Sequence, residues 1–179
     1  MSYYSGIEPC DALNGLGFRT VIWYSGCSLD CKGCFNPKTH NPCYGNKYTE
    51  KTQNYILDCV SKPYIDGITI SGGNPLEDCN LNTVLSLIKL IRNKLPEKTI
   101  WLYCGYTFEN IIKYSQKEKS DRNIWEKRKE IILLCDVIVD GAYVESKRDV
   151  SLKFRGSSNQ RVINIPETLK QNKVVLYCD

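Results

Sequence analysis

Nowhere in the 179 residues is there an apolar run approaching the roughly 18 positions that a membrane-spanning helix needs. The opening residues, MSYYSGIEPCDALNG, carry no basic stretch followed by an apolar one, so nothing there reads as an export signal. Charge of one sign is lacking too. The 24 Lys and Arg against 20 Asp and Glu leave a net +4, too small and too evenly spread to imply a nucleic-acid or membrane-surface binder. There is no internal repeat, no low-complexity segment and no flexible linker, and the expectation is one domain over residues 1–179. Hydrophobic residues make up 42%, enough for a chain of this length to bury a core without cross-links. Histidine occurs once, as His40 on a polar loop after Pro37, where it reads as a surface residue.

Against these absences stand ten cysteines. In a chain without an export signal they are expected in a reducing cytoplasm, as thiols or metal ligands rather than disulfides. Cys27, Cys31 and Cys34 fall in one eight-residue window with C-x3-C-x2-C spacing. Three soft thiolates on one short loop can converge on a metal centre. Structural zinc wants four ligands, usually as two pairs, and no second C-x2-C pair is present; Cys43 or His40 would have to complete the set, which keeps zinc open as an alternative. A 4Fe-4S cluster accounts for three cysteines better, because each iron takes one external ligand and the fourth iron stays open to substrate. An open iron implies chemistry, whereas full ligation would imply electron transfer alone. Cys10, Cys43, Cys59, Cys79, Cys104, Cys135 and Cys178 show no ligand spacing and read as small core or surface residues.

Periodicity predicts strands at Arg19–Ser25, Gly67–Ser71, Thr99–Cys104 and Val137–Asp140, with weaker ones at Arg161–Ile165 and Lys173–Tyr177. Helical spacing appears over Thr49–Ser61, over Leu81–Leu95 up to Pro96, and from Phe108 to Tyr114, resuming after a charged loop at Asn123–Leu134. Alternating strands and helices predict an α/β fold with a parallel sheet, whose ligands gather at the strands' C-terminal ends. Those ends carry the cysteine loop, Gly72-Gly73, Cys104-Gly105-Tyr106 and Asp140-Gly141, which are expected to share one rim.

A C-x3-C-x2-C loop after the first such strand resembles that of the radical S-adenosylmethionine enzymes. Further blocks are similar to those of the activating proteins of anaerobic (class III) ribonucleoside-triphosphate reductases: Cys10 to Val21, Gly33-Cys34-Phe35-Asn36, Ser71 to Leu76, Trp101 to Glu109, Asp136 to Gly141 and Phe154 to Arg161. Two positions depart from the pattern. Gly33 stands where the superfamily often has an aromatic, and Asn74 where an acid usually follows the Gly-Gly pair. The resemblance implies a partial parallel (β/α)6 barrel, an incomplete TIM-like barrel whose open side admits a protein substrate. It also implies a 4Fe-4S cluster on Cys27, Cys31 and Cys34, with S-adenosylmethionine bound at the fourth iron and cleaved reductively. The resulting 5′-deoxyadenosyl radical would take a hydrogen atom from a glycine of the reductase, in the cytoplasm, with a reducing donor such as flavodoxin or ferredoxin.

The same resemblance makes the backbone of Gly72, Gly73 and Asn74 a candidate for approaching the methionyl ammonium, with Asp140 and Tyr106 as further cofactor contacts. Arg155, Gln160 and Arg161, with Asn159 beside them, form a polar cluster in which an Arg fork could hold the methionyl carboxylate. Thr107 is weaker and reads equally as a helix cap. The rival readings are an activase for another glycyl radical enzyme, such as pyruvate formate-lyase, and a zinc or iron-sulfur module without catalysis.

Overall fold

The computed structural model describes residues 1–116 and 121–178, so residues 117–120 of the expected charged loop lie outside the described residues. The strands are β1 (Tyr3–Asp11), β2 (Arg19–Tyr24), β3 (Asn46–Lys47), β4 (Gly67–Gly72), β5 (Thr99–Tyr103), β6 (Val137–Asp140), β7 (Arg161–Asn164) and β8 (Leu176–Cys178). The helices are α1 (Glu50–Val60), α2 (Leu81–Lys94), α3 (Phe108–Ser115), α4 (Arg122–Leu133) and α5 (Ile165–Gln171). All eight strands form one open sheet in the order β3-β1-β2-β4-β5-β6-β7-β8.

Its centre, β2-β4-β5-β6, is parallel and is built as the strand periodicity predicts, each step crossing over through helix. The flanks are antiparallel: β1 pairs with β2 and β3, β7 with β6, and β8 with β7. The parallel run therefore covers four strands where six were expected. The chain leaves β6 at Asp140 and reaches β7 at Arg161 through a loop that stays on the same rim, and without a helical crossover β7 must run back down. Pro166 occupies the first turn of α5, where its missing N–H costs nothing, so Ile165 opens a helix rather than ending a strand. The sequence pattern also passes over β1. Gly6 and Pro9 mask its alternation, and two register shifts interrupt its pairing with β2; Pro9 lies beyond the short stretch, Tyr3 and Tyr4, that β3 covers.

The two faces of the sheet differ. Ile22, Ile68, Ile70, Ile100, Leu102 and Ile138 pack with α1, α2, α3 and α4 in one large apolar core. Their strand neighbours point the other way, as the two-residue repeat of a strand requires, and build only a small cluster of Trp101, Val137, Val139 and Val162. Arg19 is buried on this thinner side. It donates to Thr69 Oγ1 (2.8 Å), Thr99 Oγ1 (2.9 Å) and the carbonyls of Leu16, Ile68 and Thr99, so its donors are satisfied. Burial lowers its pKa to about 10. No helix among the described residues is long and apolar enough to cross a membrane.

Candidate iron-sulfur and cofactor site

The cysteine loop leaves the C-terminal end of β2 at Ser25, and backbone hydrogen bonds fix its root. Gly26 N donates to Thr39 O (2.7 Å) and Cys27 N to His40 O (3.3 Å), closing the loop on itself. The turn after β4 is sewn to the same root: Gly73 N donates to Tyr24 O (2.8 Å) and Asn74 N to Gly26 O (2.8 Å). These contacts leave no room for side chains. A Cβ on Gly73 would lie 2.6 Å from Gly26 O and 2.8 Å from Thr39 O. Gly72, at φ +116, would put a Cβ 2.2 Å from Tyr24 O. The glycine pair thus lets two backbone segments touch, a role nearer the loop than the ligand contact its sequence suggests.

Cys27, Cys31 and Cys34 are free thiols, each partly exposed. Cys34 N donates to Cys31 O (3.1 Å), which folds the end of the triplet into a turn. Burial pushes the Cys27 thiol pKa up. Among the described residues, no three His, Cys, Asp or Glu side chains meet where one ion could be held. A 4Fe-4S cluster makes a different demand, one thiolate to each of three irons, and three soft, accessible thiols on a fixed loop fit it. Cys59, Cys104 and Cys135 are buried, with thiol pKa values raised by burial, and serve the core as expected. His40 is more enclosed than a surface residue, its side chain 23% exposed with Nδ1 3.4 Å from Asp30 Oδ1.

Gly33 has a local explanation. Its φ is +75, in the left-handed region that side chains rarely adopt, so an aromatic there would be strained. Asn74 is fully buried, with Oδ1 accepting from Leu76 N (3.2 Å) and Nδ2 donating to Glu77 Oε1 (3.2 Å). The same Glu77 oxygen accepts from Ser28 N (3.2 Å), Ser28 Oγ (2.9 Å) and Tyr106 OH (3.4 Å). Tyr106 is itself braced by Arg128, whose guanidinium lies 4.7 Å from its ring centroid and pairs with Asp78 (2.7 Å).

On the far side of the rim, Asp140 is fully buried at the end of β6. Its carboxylate accepts from Phe108 N (2.8 Å), holding the start of α3, and from Arg161 Nε (3.0 Å) and Nη2 (2.5 Å). Arg161 also forks onto Glu109 at 2.8 and 2.7 Å. Those hydrogen bonds hold the Glu109 pKa below its ordinary value. This link is complete above the usual carboxylate range and is lost as the pH falls through the lowered pKa. Gln160 donates to Gly141 O (3.0 Å) while its oxygen accepts from Gly156 N (3.0 Å) and Ser157. Arg155 Nη1 donates to Gln160 O (2.9 Å), and its buried Nε–H has no partner among the described residues. Thr107 caps α3 by accepting from Asn110 N (3.4 Å).

A family described as a 4Fe-4S single cluster domain matches residues 13–163, from the approach to β2 into β7. The anaerobic ribonucleoside-triphosphate reductase-activating protein of Enterobacteria phage T4 is 37% identical over 159 residues, 89% of this chain and 92% of the relative. The protein of that name from Vibrio cholerae is 32% identical, with 88% and 94% covered. That from Escherichia coli K12 is 33% identical, with 89% and 96% covered. The chain belongs to this family of activating proteins.

Within the family's matched region, sequence reasoning missed Glu77, Ser28, Asn80 and Arg128. Asn80 Nδ2 donates to Ser25 O (2.9 Å) and Asn74 O (3.3 Å), tying the end of the turn to the loop root. None of the four has a spacing that marks it. Their signal was only polarity, in the cysteine loop for Ser28, in the segment joining β4 to α2 for Glu77 and Asn80, and on α4 for Arg128.

Proposed function

We propose that this protein binds a 4Fe-4S cluster and S-adenosylmethionine and generates a glycyl radical on the anaerobic ribonucleoside-triphosphate reductase. The observation that carries this reading is the fixed loop presenting Cys27, Cys31 and Cys34 beside the Gly72-Gly73 turn, at the C-terminal rim of the parallel strands. The names of the relatives supply the target. A cluster held by Cys27, Cys31 and Cys34 would pass one electron from an external reductant to S-adenosylmethionine, and the chemistry it would supply is reductive cleavage of the sulfonium to methionine with hydrogen-atom abstraction from a glycine Cα.

The chain's own residues hold and enclose. Cys27, Cys31 and Cys34 would hold the cluster; the backbone of Gly73 and Asn74 fixes the root of their loop. Arg155, with Nε–H unspent, is the donor for the methionyl carboxylate, whereas Asp140, Gln160 and Arg161 keep the rim in shape through hydrogen bonds already made. Tyr106 braces Glu77. The partial parallel barrel remains the proposed architecture; the eight strands form an open, unclosed sheet, and its open side is the proposed way in for a loop of another protein. Flavodoxin or ferredoxin is the proposed class of electron donor.

The anaerobically reconstituted and reduced protein, mixed with S-adenosylmethionine and the reductase from the same source, should give a glycyl-radical doublet by electron paramagnetic resonance. Pyruvate formate-lyase in its place should give none. The reverse pattern would overturn the named target, and absence of both the doublet and 5′-deoxyadenosine would overturn the activity.

A further inference from the structure

Two carboxylates near the cysteine loop, Glu77 and Glu145, lack an ion pair among the described residues; Glu145 is exposed and accepts from Tyr143 OH (2.5 Å), whereas Glu77 is partly buried. Asp140 and Glu109 are neutralised by Arg161, and Asp78 by Arg128. Among the described residues Glu77 forms no ion pair. It is nevertheless partly buried and strongly fixed. Its backbone closes the turn, with N donating to Asn74 O (3.0 Å) and O accepting from Asn80 N (2.8 Å). Four donors converge on Oε1, from Ser28, Asn74 and Tyr106, and none among the described residues reaches Oε2. The residues that fix it come from the cysteine loop, the β4 turn and the β5 turn.

A held, partly desolvated carboxylate without a cation costs free energy that an arriving cation recovers. Asn74, where the resembling enzymes usually carry an acid, offers no such charge. It is uncharged and fully buried, and both ends of its amide are spent inside the turn, one of them on Glu77 itself. An acid at position 74 would set two carboxylates against one another; the amide instead donates to its neighbour and steadies it.

Resting on the function proposed above, we propose that Glu77 carries the negative charge that receives the α-ammonium of S-adenosylmethionine, through the oxygen that the rim leaves unspent. The site then selects an α-amino acid ammonium from a position three residues beyond the usual one, with Ser28 and Tyr106 as positioning residues that hold the carboxylate towards the loop.

Binding to the oxidised, cluster-loaded protein, followed by equilibrium dialysis and normalised to iron and sulfide content, tests this without turnover. Glu77→Gln keeps an acceptor for Ser28 and removes only the charge. It should bind S-adenosylmethionine about tenfold or more weakly than the wild type, the range expected for loss of a charge-assisted hydrogen bond. The deaminated analogue, which has no ammonium, should bind both proteins equally. Equal affinity of the two proteins for S-adenosylmethionine would overturn the assignment. A parallel loss for the analogue would also overturn it, since Glu77 would then be a brace for the loop and nothing more. Failure of the wild-type protein itself to bind S-adenosylmethionine would instead overturn the functional reading, and this assignment with it.

Discussion

The Gly73→Val protein should emerge from anaerobic reconstitution with most of its iron and sulfide missing, as Cys31→Ala should, while Cys43→Ala keeps a full complement. The reason is the packing of backbone on backbone. A Cβ at position 73 would meet Gly26 O at 2.6 Å and Thr39 O at 2.8 Å, and neither can swing aside as a side-chain tip would. Relief requires the turn and the loop root to separate, breaking the bonds from Gly73 N to Tyr24 O and from Asn74 N to Gly26 O. Forced overpacking of this kind costs about 1–3 kcal/mol, and here the cost falls on the segment that aims Cys27. Cys43 is exposed on a separate turn, where its N–H donates to Asn41 Oδ1 (2.9 Å), and no thiol of the triplet depends on it. Iron and sulfide analysis of the three variants decides the matter. If Gly73→Val held a full cluster and lost only affinity for S-adenosylmethionine, the glycine would be making room for ligand, as its sequence context first suggests, and not for the loop.

Arg161→Met should lower the melting temperature far more than Glu109→Gln, although both break the same bridge. Asp140 has a side chain only 1% exposed, and Arg161 supplies two of its three hydrogen bonds. Without the guanidinium a buried carboxylate keeps one backbone donor, a loss of about 3–5 kcal/mol. For a chain of this size that corresponds to a fall on the order of 10 °C. Glu109 is 56% exposed, and water replaces its half of the bridge at a cost of less than about 1 kcal/mol. Asp140→Asn combined with Arg161→Met should recover part of the loss, because no charge is then left buried. Thermal denaturation followed by circular dichroism measures all three. A fall in Arg161→Met no larger than in Glu109→Gln would show that Asp140 finds another partner, and would remove the bracing role given to Arg161.

What was legible in the sequence, and what was not, follows from the range of the interactions involved. The four parallel strands could be read from apolar runs of four to six residues ended by Gly, because burial and turn chemistry are written into neighbouring positions. The cysteine loop could be read for the same reason: three ligands within eight residues form a local pattern. That the Gly-Gly, Cys-Gly-Tyr and Asp-Gly turns share a rim with the loop follows from parallel topology alone, and the contacts between Glu77 and Tyr106 and between Asp140 and Phe108 bear it out.

The tertiary structure alone decided the rest. The direction of β7 depended on whether residues 141–160 cross the sheet or stay on the rim, and a loop without helical periodicity does not say which. The polar cluster looked free for a ligand because its partners, Asp140, Glu109 and Gly141, lie at least 19 residues away in sequence. Glu77 looked like one more solvated acid in a turn. Only the fold brings Ser28 and Tyr106 onto the oxygen that its neighbour Asn74 also reaches, because hydrogen bonds across the rim join residues whose order in the chain carries no trace of the meeting. The sequence by itself determined the thiols and the strands that present them, since those are set by local pattern. Which carboxylates are already neutralised, and which one still awaits a cation, is a property of distance in space, and distance in space was the fold's to decide.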